Sequence, residues 1–205
     1  MGIVHELTRK PWLAEEGPVD SDTAGKSFPL PSEKLALRIF LTVVTVLFSL
    51  MVVVYSDRMV LSDWHPIQEP WLLWVNTALL IGASVAFHST LKNARRGELD
   101  SVKFGMRAAG VCTFAFLVGQ LWVAQQLGAA GYFMESNPAV AFFYLLTGAH
   151  AVHLVGGLFA WGRTAYKLGR GYELDKIMLN FELCTTYWHY MLGIWVVLFG
   201  LMVLT

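Results

Sequence analysis

The stretch AVAFFYLLTGAHAVHLVGGLFAWG, residues 139–162, contains no Asp, Glu, Lys or Arg. A bilayer core of about 30 Å requires about 20 mostly apolar residues in a helix, so this stretch is long enough to cross it. Four further stretches of this kind lie at about 35–55, 70–91, 104–127 and 177–204. Their only formal charges are Arg38 and Arg107, near stretch ends, and Glu182. The sequence therefore predicts an all-α membrane protein with five transmembrane helices.

The composition excludes two broad classes of protein. Apolar residues make up 56% of the chain and charged residues 15%, whereas soluble domains have about 45 to 50% and about 25%. A soluble domain is therefore excluded. The formal net charge is zero, so the chain has no surplus of basic residues that would bind nucleic acid.

The basic residues predict the orientation of the helices. Of the 15 Lys and Arg residues, all except Arg58 fall in the N-terminal segment or next to the second and fourth connections, which lie on one side of the membrane. Because Lys and Arg accumulate in cytoplasmic loops, we expect a cytoplasmic N-terminus and an external C-terminus. Pro70 suits the start of a helix, and Gly128 and Gly162 suit helix exits.

Residues 1–34 differ in character from the rest of the chain. They are polar and mixed in charge, and they include Gly17, Pro18, Pro29 and Pro31, which favours an extended cytoplasmic arm. The first apolar run comes too late for a signal peptide, so we expect the first span to be retained. The predicted organisation is an arm over 1–34 followed by a five-helix transmembrane domain over 35–205.

Four histidines fall inside the predicted spans: His88, His150, His153 and His189. Polar groups are costly there and suggest function. One interpretation is metal ligation, with His150 and His189 as the axial pair of a b-haem. We favour interhelical hydrogen bonds in a packed bundle. Cys112 and Cys184 are expected to be packing residues, and no Cys-x-x-Cys-His string is present for c-type haem attachment.

The last span carries Glu182, Thr186 and His189 on one helix face. Glu182 suits either a proton relay or antenna, or an interhelical clasp to a histidine of the fourth span. We favour the clasp, because a single carboxylate with no second one in any span makes a poor transmembrane relay.

Several strings of residues resemble one family. They are the run FYLLTGAHAVH at 143–153, Glu182 followed by YWHY at 187–190 and Trp195, Asn76-Thr77, and Gly119-Gln120. In combination they resemble the subunit III chains of haem-copper oxidases, and the resemblance covers residues 35–205. It implies the shorter, five-helix form of cytochrome c oxidase subunit III or of its quinol oxidase equivalent.

The resemblance implies a non-catalytic integral subunit of a prokaryotic terminal oxidase that reduces oxygen and pumps protons in the inner membrane. Subunit III of this family carries no catalytic, cofactor or metal site, so haem and copper are expected in partner subunits. The implied partners are subunit I above all, subunit II, other respiratory complex subunits and phospholipid. The candidate residues for interhelical polar, lipid or subunit contacts are Asn76, Gln120, Thr147, His150, His153, Glu182, Trp188 and His189.

The sequence departs from the family at three positions that usually carry acids, where it has Val44, Val123 and Leu192. These departures favour a role in assembly and support over a role in proton handling. Two alternatives remain: an accessory subunit III-like chain of a nitric oxide reductase, and a free-standing electron-transfer protein that binds b-haem through its membrane histidines.

Overall fold

The computed structural model describes residues 31–62, 64, 70–132 and 137–204. Within these ranges it is all-helical and has five helices long and apolar enough to cross a membrane. In chain order they are α1 (Ser32–Arg58), α2 (Leu72–Arg95), α3 (Leu99–Ala129), α4 (Pro138–Gly169) and α5 (Leu174–Val203). The predicted fold class is confirmed. The sides of the membrane on which the termini lie stay a prediction.

The chain divides into two compact units, residues 1–36 and 37–205. Of the first unit only residues 31–36 are described, and they begin α1. The predicted arm over 1–34 therefore lies almost wholly outside the described residues, and its boundary stays a prediction. The second unit contains the remainder of α1 and the four other helices.

The helix ends differ from three sequence predictions. Helix α2 begins at Leu72, just after Pro70, and Gly128 and Gly162 lie inside α3 and α4. The chain turns instead at Gly131 and Gly171, where φ is 83° and 78°. Each closes a Schellman turn, since Tyr132 N donates to Leu127 O at 3.0 Å and Tyr172 N donates to Lys167 O at 3.3 Å. Glycine adopts such positive φ angles without steric cost, whereas Gly128 and Gly162 have helical backbone and are partly buried.

Helices α2 and α3 pack closely through glycine. A Cβ at Gly119 would overlap the side-chain amide of Asn76, and a Cβ at Gly105 would overlap the Thr90 hydroxyl. Small residues at such positions let two membrane helices approach closely. The tight turn at residues 96–98 makes the two helices antiparallel neighbours.

Helix α1 is packed along one narrow stripe. Its buried residues are Val44, Phe48 and Tyr55. Other apolar side chains, such as Val43 and Leu50, are 62% and 60% exposed. The spacing of the buried residues is that of a narrow helix–helix seam. Most of the circumference of α1 is therefore left apolar and open.

Helix α5 is buried on a much wider arc than α1. Trp188, Met191, Trp195 and Leu198 are all completely buried. Helices α2 and α4 both pack against it. This central position brings its polar side chains within reach of each of the other helices.

Candidate functional site

Two tryptophans of α5 hold threonine hydroxyls on other helices. Trp188 Nε1 donates to Thr113 Oγ1 of α3 at 3.0 Å, and Trp195 Nε1 donates to Thr77 Oγ1 of α2 at 3.0 Å. Each threonine donates its own proton to a carbonyl one turn earlier in its helix. Every polar atom in both pairs is therefore satisfied, as burial in an apolar environment requires.

Two tyrosines of α5 extend these contacts to α4 and α1. The Tyr187 hydroxyl donates to the His153 carbonyl of α4 at 2.7 Å. The Tyr190 hydroxyl donates to the Leu41 carbonyl of α1 at 3.1 Å and lies 2.5 Å from the Thr45 hydroxyl. With Trp188 and Trp195, α5 is hydrogen-bonded to each of the other four helices. Tyr187 and Tyr190 belong to the YWHY string. Their hydrogen bonds could not be predicted from the sequence, because a main-chain carbonyl acceptor is present at every residue.

His150 lies in an aromatic enclosure in the core. It is 0% exposed, and its ring centroid is 5.2 Å from that of Trp195, 5.9 Å from Phe116 and 6.4 Å from Phe48. Within the described part of the chain neither ring nitrogen has a hydrogen-bond partner. The structure therefore shows no interhelical hydrogen bond from this imidazole.

The histidine pair considered for a b-haem is not brought together. His150 faces the three aromatic rings of the core, whereas the ring of His189 lies on the outer surface beside His88, 5.8 Å between centroids. His153 is placed differently again, with its Nδ1 2.7 Å from the Ala149 carbonyl of its own helix. Among the described residues no group of three His, Cys, Asp or Glu side chains is placed to hold a metal ion.

The three remaining core candidates, Asn76, Gln120 and Thr147, are buried. Asn76 is 1% exposed and rests on Gly119 of α3. Thr147 is buried and donates to the Phe143 carbonyl of its own helix at 2.6 Å. The side-chain amides of Asn76 and Gln120 have no hydrogen-bond partner among the described residues.

The structure corrects the predicted partner of Glu182. The expected clasp to a histidine of the fourth span is wrong, because the Glu182 carboxylate pairs with Arg95 of α2 at 3.3 Å. The reason is the rotation of α5, which directs this face toward α2 while the buried histidine of α4 faces the core. The sequence predicted that Glu182 makes a contact between helices, but not that its partner is Arg95. Arg95 entered the sequence analysis only as one of the basic residues that predict the orientation of the helices in the membrane.

A second polar contact lies next to this ion pair on the same side. The Ser84 hydroxyl of α2 is 3.1 Å from His189 Nδ1, and the exposed ring of His88 lies beside that of His189. We call the set of Ser84, His88, Arg95, Glu182, Thr186 and His189 the α2–α5 stripe. Sequence reasoning found its α5 members, which repeat at helical spacing. It missed Ser84, which nothing distinguishes from other serines.

An apolar groove lies among α1, α4 and α5. Its volume is about 530 Å³. The small residues Gly156, Gly157 and Ala160 of α4 form its floor, and its walls include Phe40 and Tyr187. A Cβ at Gly156 would meet no atom within 4 Å, so the groove is open above that position. The full lining comprises Leu37, Phe40, Val152, His153, Gly156, Gly157, Ala160, Leu183, Cys184, Tyr187 and Trp188.

Two of the positions where the family usually has acids are buried in the core. Val44 is 2% exposed and Val123 is 0% exposed.

Both cysteines are free; Cys184 is buried and packs 3.8 Å from the Thr164 hydroxyl. The cysteines are therefore packing residues, as predicted.

The chain is similar to proteins named cytochrome c oxidase subunit 3 in several bacteria. It is 29% identical over 127 residues to the probable subunit 3 of Mycobacterium tuberculosis, which is 60% of this chain and 61% of that protein. It is 27% identical over 135 residues to the Corynebacterium diphtheriae protein, 66% of this chain and 65% of that one. With the Synechocystis sp. protein it shares 28% over 154 residues, 72% of this chain and 64% of that one.

These matches span somewhat less than two thirds of the length of each relative. No family model matches the chain. The relatives and the five membrane-spanning helices together identify a multi-pass membrane protein that is a homologue of these oxidase subunits.

Proposed function

We propose that the chain is a member of the haem-copper oxidase subunit III family and serves as the non-catalytic third subunit of a terminal oxidase, on the strength of its similarity to these relatives. The complex would reduce oxygen to water and pump protons in the inner membrane of a prokaryote. Subunit I would be its main partner, with subunit II and other respiratory subunits around it. Haem and copper would belong to those partner subunits.

The observation that carries this proposal is the shared similarity to proteins named cytochrome c oxidase subunit 3. The geometry favours a supporting role, because α5 joins all the other helices through buried or partly buried hydrogen bonds. A set of helices joined to one another in this way suits a scaffold that holds a partner in place. The valines at two buried acid positions favour support over proton handling.

Purification from native membranes tests this function. With a tag on this chain and a mild detergent, we expect companion subunits of a haem-copper oxidase, and haem absorption bands that belong to the complex. The isolated chain is expected to be colourless. Companions of a nitric oxide reductase, or haem bands in the isolated chain, would replace this proposal with one of the two alternatives.

We also propose that the groove among α1, α4 and α5 holds a phospholipid acyl chain. Its volume of about 530 Å³ and its largely apolar lining support this, since an acyl chain is the apolar partner that a membrane offers to such a surface. Gly156→Ile would fill the groove from its floor without a clash in the core. We expect mass spectrometry to find less retained phospholipid in this variant than in Gly148→Ile, which lies outside the groove on the same helix.

A further inference from the structure

The exposed surface near the middle of most helices is apolar. On α3 the residues Val111, Phe114 and Val118 are 67%, 52% and 61% exposed, and on α4 Val155 and Phe159 are 56% and 78% exposed. Apolar side chains of this kind match lipid tails. These faces of α3 and α4 therefore suit contact with the bilayer.

The α2–α5 stripe breaks this pattern. His88, Thr186 and His189 are exposed on the middle turns of their helices. The stripe continues to the ion pair between Arg95, which ends α2, and Glu182. The Thr186 hydroxyl donates to the Glu182 carbonyl of its own helix at 2.9 Å. The two imidazoles and the ion pair are a poor match for hydrocarbon, because polar groups there need a hydrogen-bond partner.

Depth distinguishes the two ends of the stripe. His88 lies about two helical turns, or ~10 Å, from Arg95 along α2. Arg95 and Lys92, in the last turn of α2, can extend their long side chains toward the membrane surface. The imidazoles of His88 and His189 are too short to reach the membrane surface. Within the described residues, His88 makes a ring contact with His189 but no hydrogen bond. A lipid headgroup at the membrane surface would therefore satisfy Arg95 but not the two histidines.

The chemistry of the stripe defines what would cover it. Ser84 engages Nδ1 of His189 at 3.1 Å, which leaves Nε2 to face outward as a donor or an acceptor, depending on the tautomer. Arg95 and Glu182 oppose each other in charge, so the ion pair needs no further countercharge. The best complement to two imidazoles is a side chain that both donates and accepts, namely an amide or a hydroxyl.

We propose that the α2–α5 stripe is the docking face of this chain for a transmembrane helix of another membrane subunit, which places an Asn, Gln, Ser or Thr opposite His88 and His189. Hydrogen bonds of this kind join helices within membranes. The inference rests on the proposed function only in taking the partner to be a subunit of the same complex.

Photo-cross-linking in native membranes tests the docking face. A photoreactive amino acid replaces Thr186, within the stripe, and in a matched control it replaces Val111. Val111 is 67% exposed and lies near the level of Thr186, because Thr113 is hydrogen-bonded to Trp188. We expect Thr186 to form an adduct with a membrane protein, through an apolar helical segment that contains an amide or hydroxyl residue. Val111 is expected to label lipid and not that protein.

A second arm tests the histidines themselves. In the double variant His88→Leu and His189→Leu, the two hydrogen bonds to the partner helix are lost, so binding of the partner should weaken roughly tenfold. The yield of the Thr186 adduct should fall accordingly. Val85→Leu, on the exposed side of the same helix, should leave the yield unchanged.

Several results would overturn the docking face: adducts of Thr186 with lipid alone, adducts with a second copy of this chain, equal protein adducts from Val111, or an undiminished yield in the double variant. Failure of this inference differs from failure of the proposed function. If oxidase subunits copurify while Thr186 labels lipid, the docking face is wrong and the function stands. If Thr186 labels a helix of a different complex, the docking face stands and the function is wrong.

Discussion

The indole Nε1 of Trp188 and the hydroxyl of Thr113 are 3.0 Å apart, and both residues are completely buried. Thr113 donates its proton to the Ala109 carbonyl at 2.8 Å, so its oxygen is left to accept from the indole. This bond joins α5 to α3 in a region where no water competes with it. The same arrangement recurs between Trp195 and Thr77, which joins α5 to α2.

Thr113→Val should destabilise the protein. The substitution keeps the shape of the side chain but leaves the Trp188 N–H without its acceptor, at a cost of about 1 to 3 kcal/mol. Unfolding in mixed micelles of mild detergent and dodecyl sulfate would measure the loss. Thr42→Val is the control, because Thr42 is exposed and bonds only to the Arg38 carbonyl of its own helix. Equal stability of the two variants would contradict the importance of this bond.

Gly119→Ala should also be destabilising, by about 1 to 3 kcal/mol, because the added methyl group overlaps the Asn76 amide where α2 and α3 are closest. Gly148→Ala is the matched control, since a Cβ there meets nothing within 4 Å and alanine favours a helix by up to ~1 kcal/mol. The same micelle titration applies. Asn76→Ala should recover part of the loss, and a Gly119→Ala variant as stable as the control would refute the close approach.

Tyr190→Phe should loosen α1 from α5, because the hydroxyl contacts both the Leu41 carbonyl and Thr45. Spin labels at Leu50 and Val197, both exposed, would report the separation of the two helices. We expect a broader distance distribution in the variant. Tyr166→Phe is the control, since that hydroxyl accepts only from Arg170, the residue that follows the end of α4. An unchanged distribution would mean that apolar packing alone holds α1.

Charge reversal at Glu182 should destabilise the purified chain more than Glu182→Gln. The Arg95 and Glu182 side chains are 61% and 27% exposed, so solvent screening limits the pair to about 1 kcal/mol or less. Glu182→Lys adds repulsion, which the second change Arg95→Glu should remove. Thermal melting at low and high salt measures both effects, and the difference should shrink with salt. Absence of any salt dependence would argue against the ion pair.

A tag fused after Thr205 should be accessible from outside the cell. This follows from the sidedness of the basic residues, since only Arg58 lies apart from the other Lys and Arg positions. Labelling of intact cells with an impermeant reagent would measure it. A tag that becomes accessible only after the membrane is permeabilised would reverse the predicted orientation.

The number of helices and their approximate positions followed from the sequence because uncharged stretches of membrane length are a strong signal. Helix ends were less predictable. Gly128 and Gly162 resemble exits, but the turns that end α3 and α4 use glycines at positive φ, Gly131 and Gly171. Backbone conformation of this kind is a property of the turn and not of the residue type alone.

Candidate residues were found more readily than their partners. The polar members of α5 repeat at helical spacing, and this placed Glu182, Thr186 and His189 on one face. Which helix that face meets depends on the rotation of α5 in the packed protein, so Glu182 was assigned to a histidine when it pairs with Arg95. His150 shows the same limit, since a buried imidazole among aromatic rings has the same sequence pattern as one that is hydrogen-bonded.

The central position of α5 has a consequence for biosynthesis. Each of the other four helices is hydrogen-bonded to α5, which is the last of the five to leave the ribosome. Helices α2 and α3 can pair early through their short connection, and α4 can join them, because Tyr144 and Trp161 of α4 donate to the Ala124 and Met106 carbonyls of α3. The hydrogen bonds that join all four helices to a common partner therefore form only after α5 has been translated, and a ribosome that stalls before residue 174 leaves the earlier helices in the membrane without that partner.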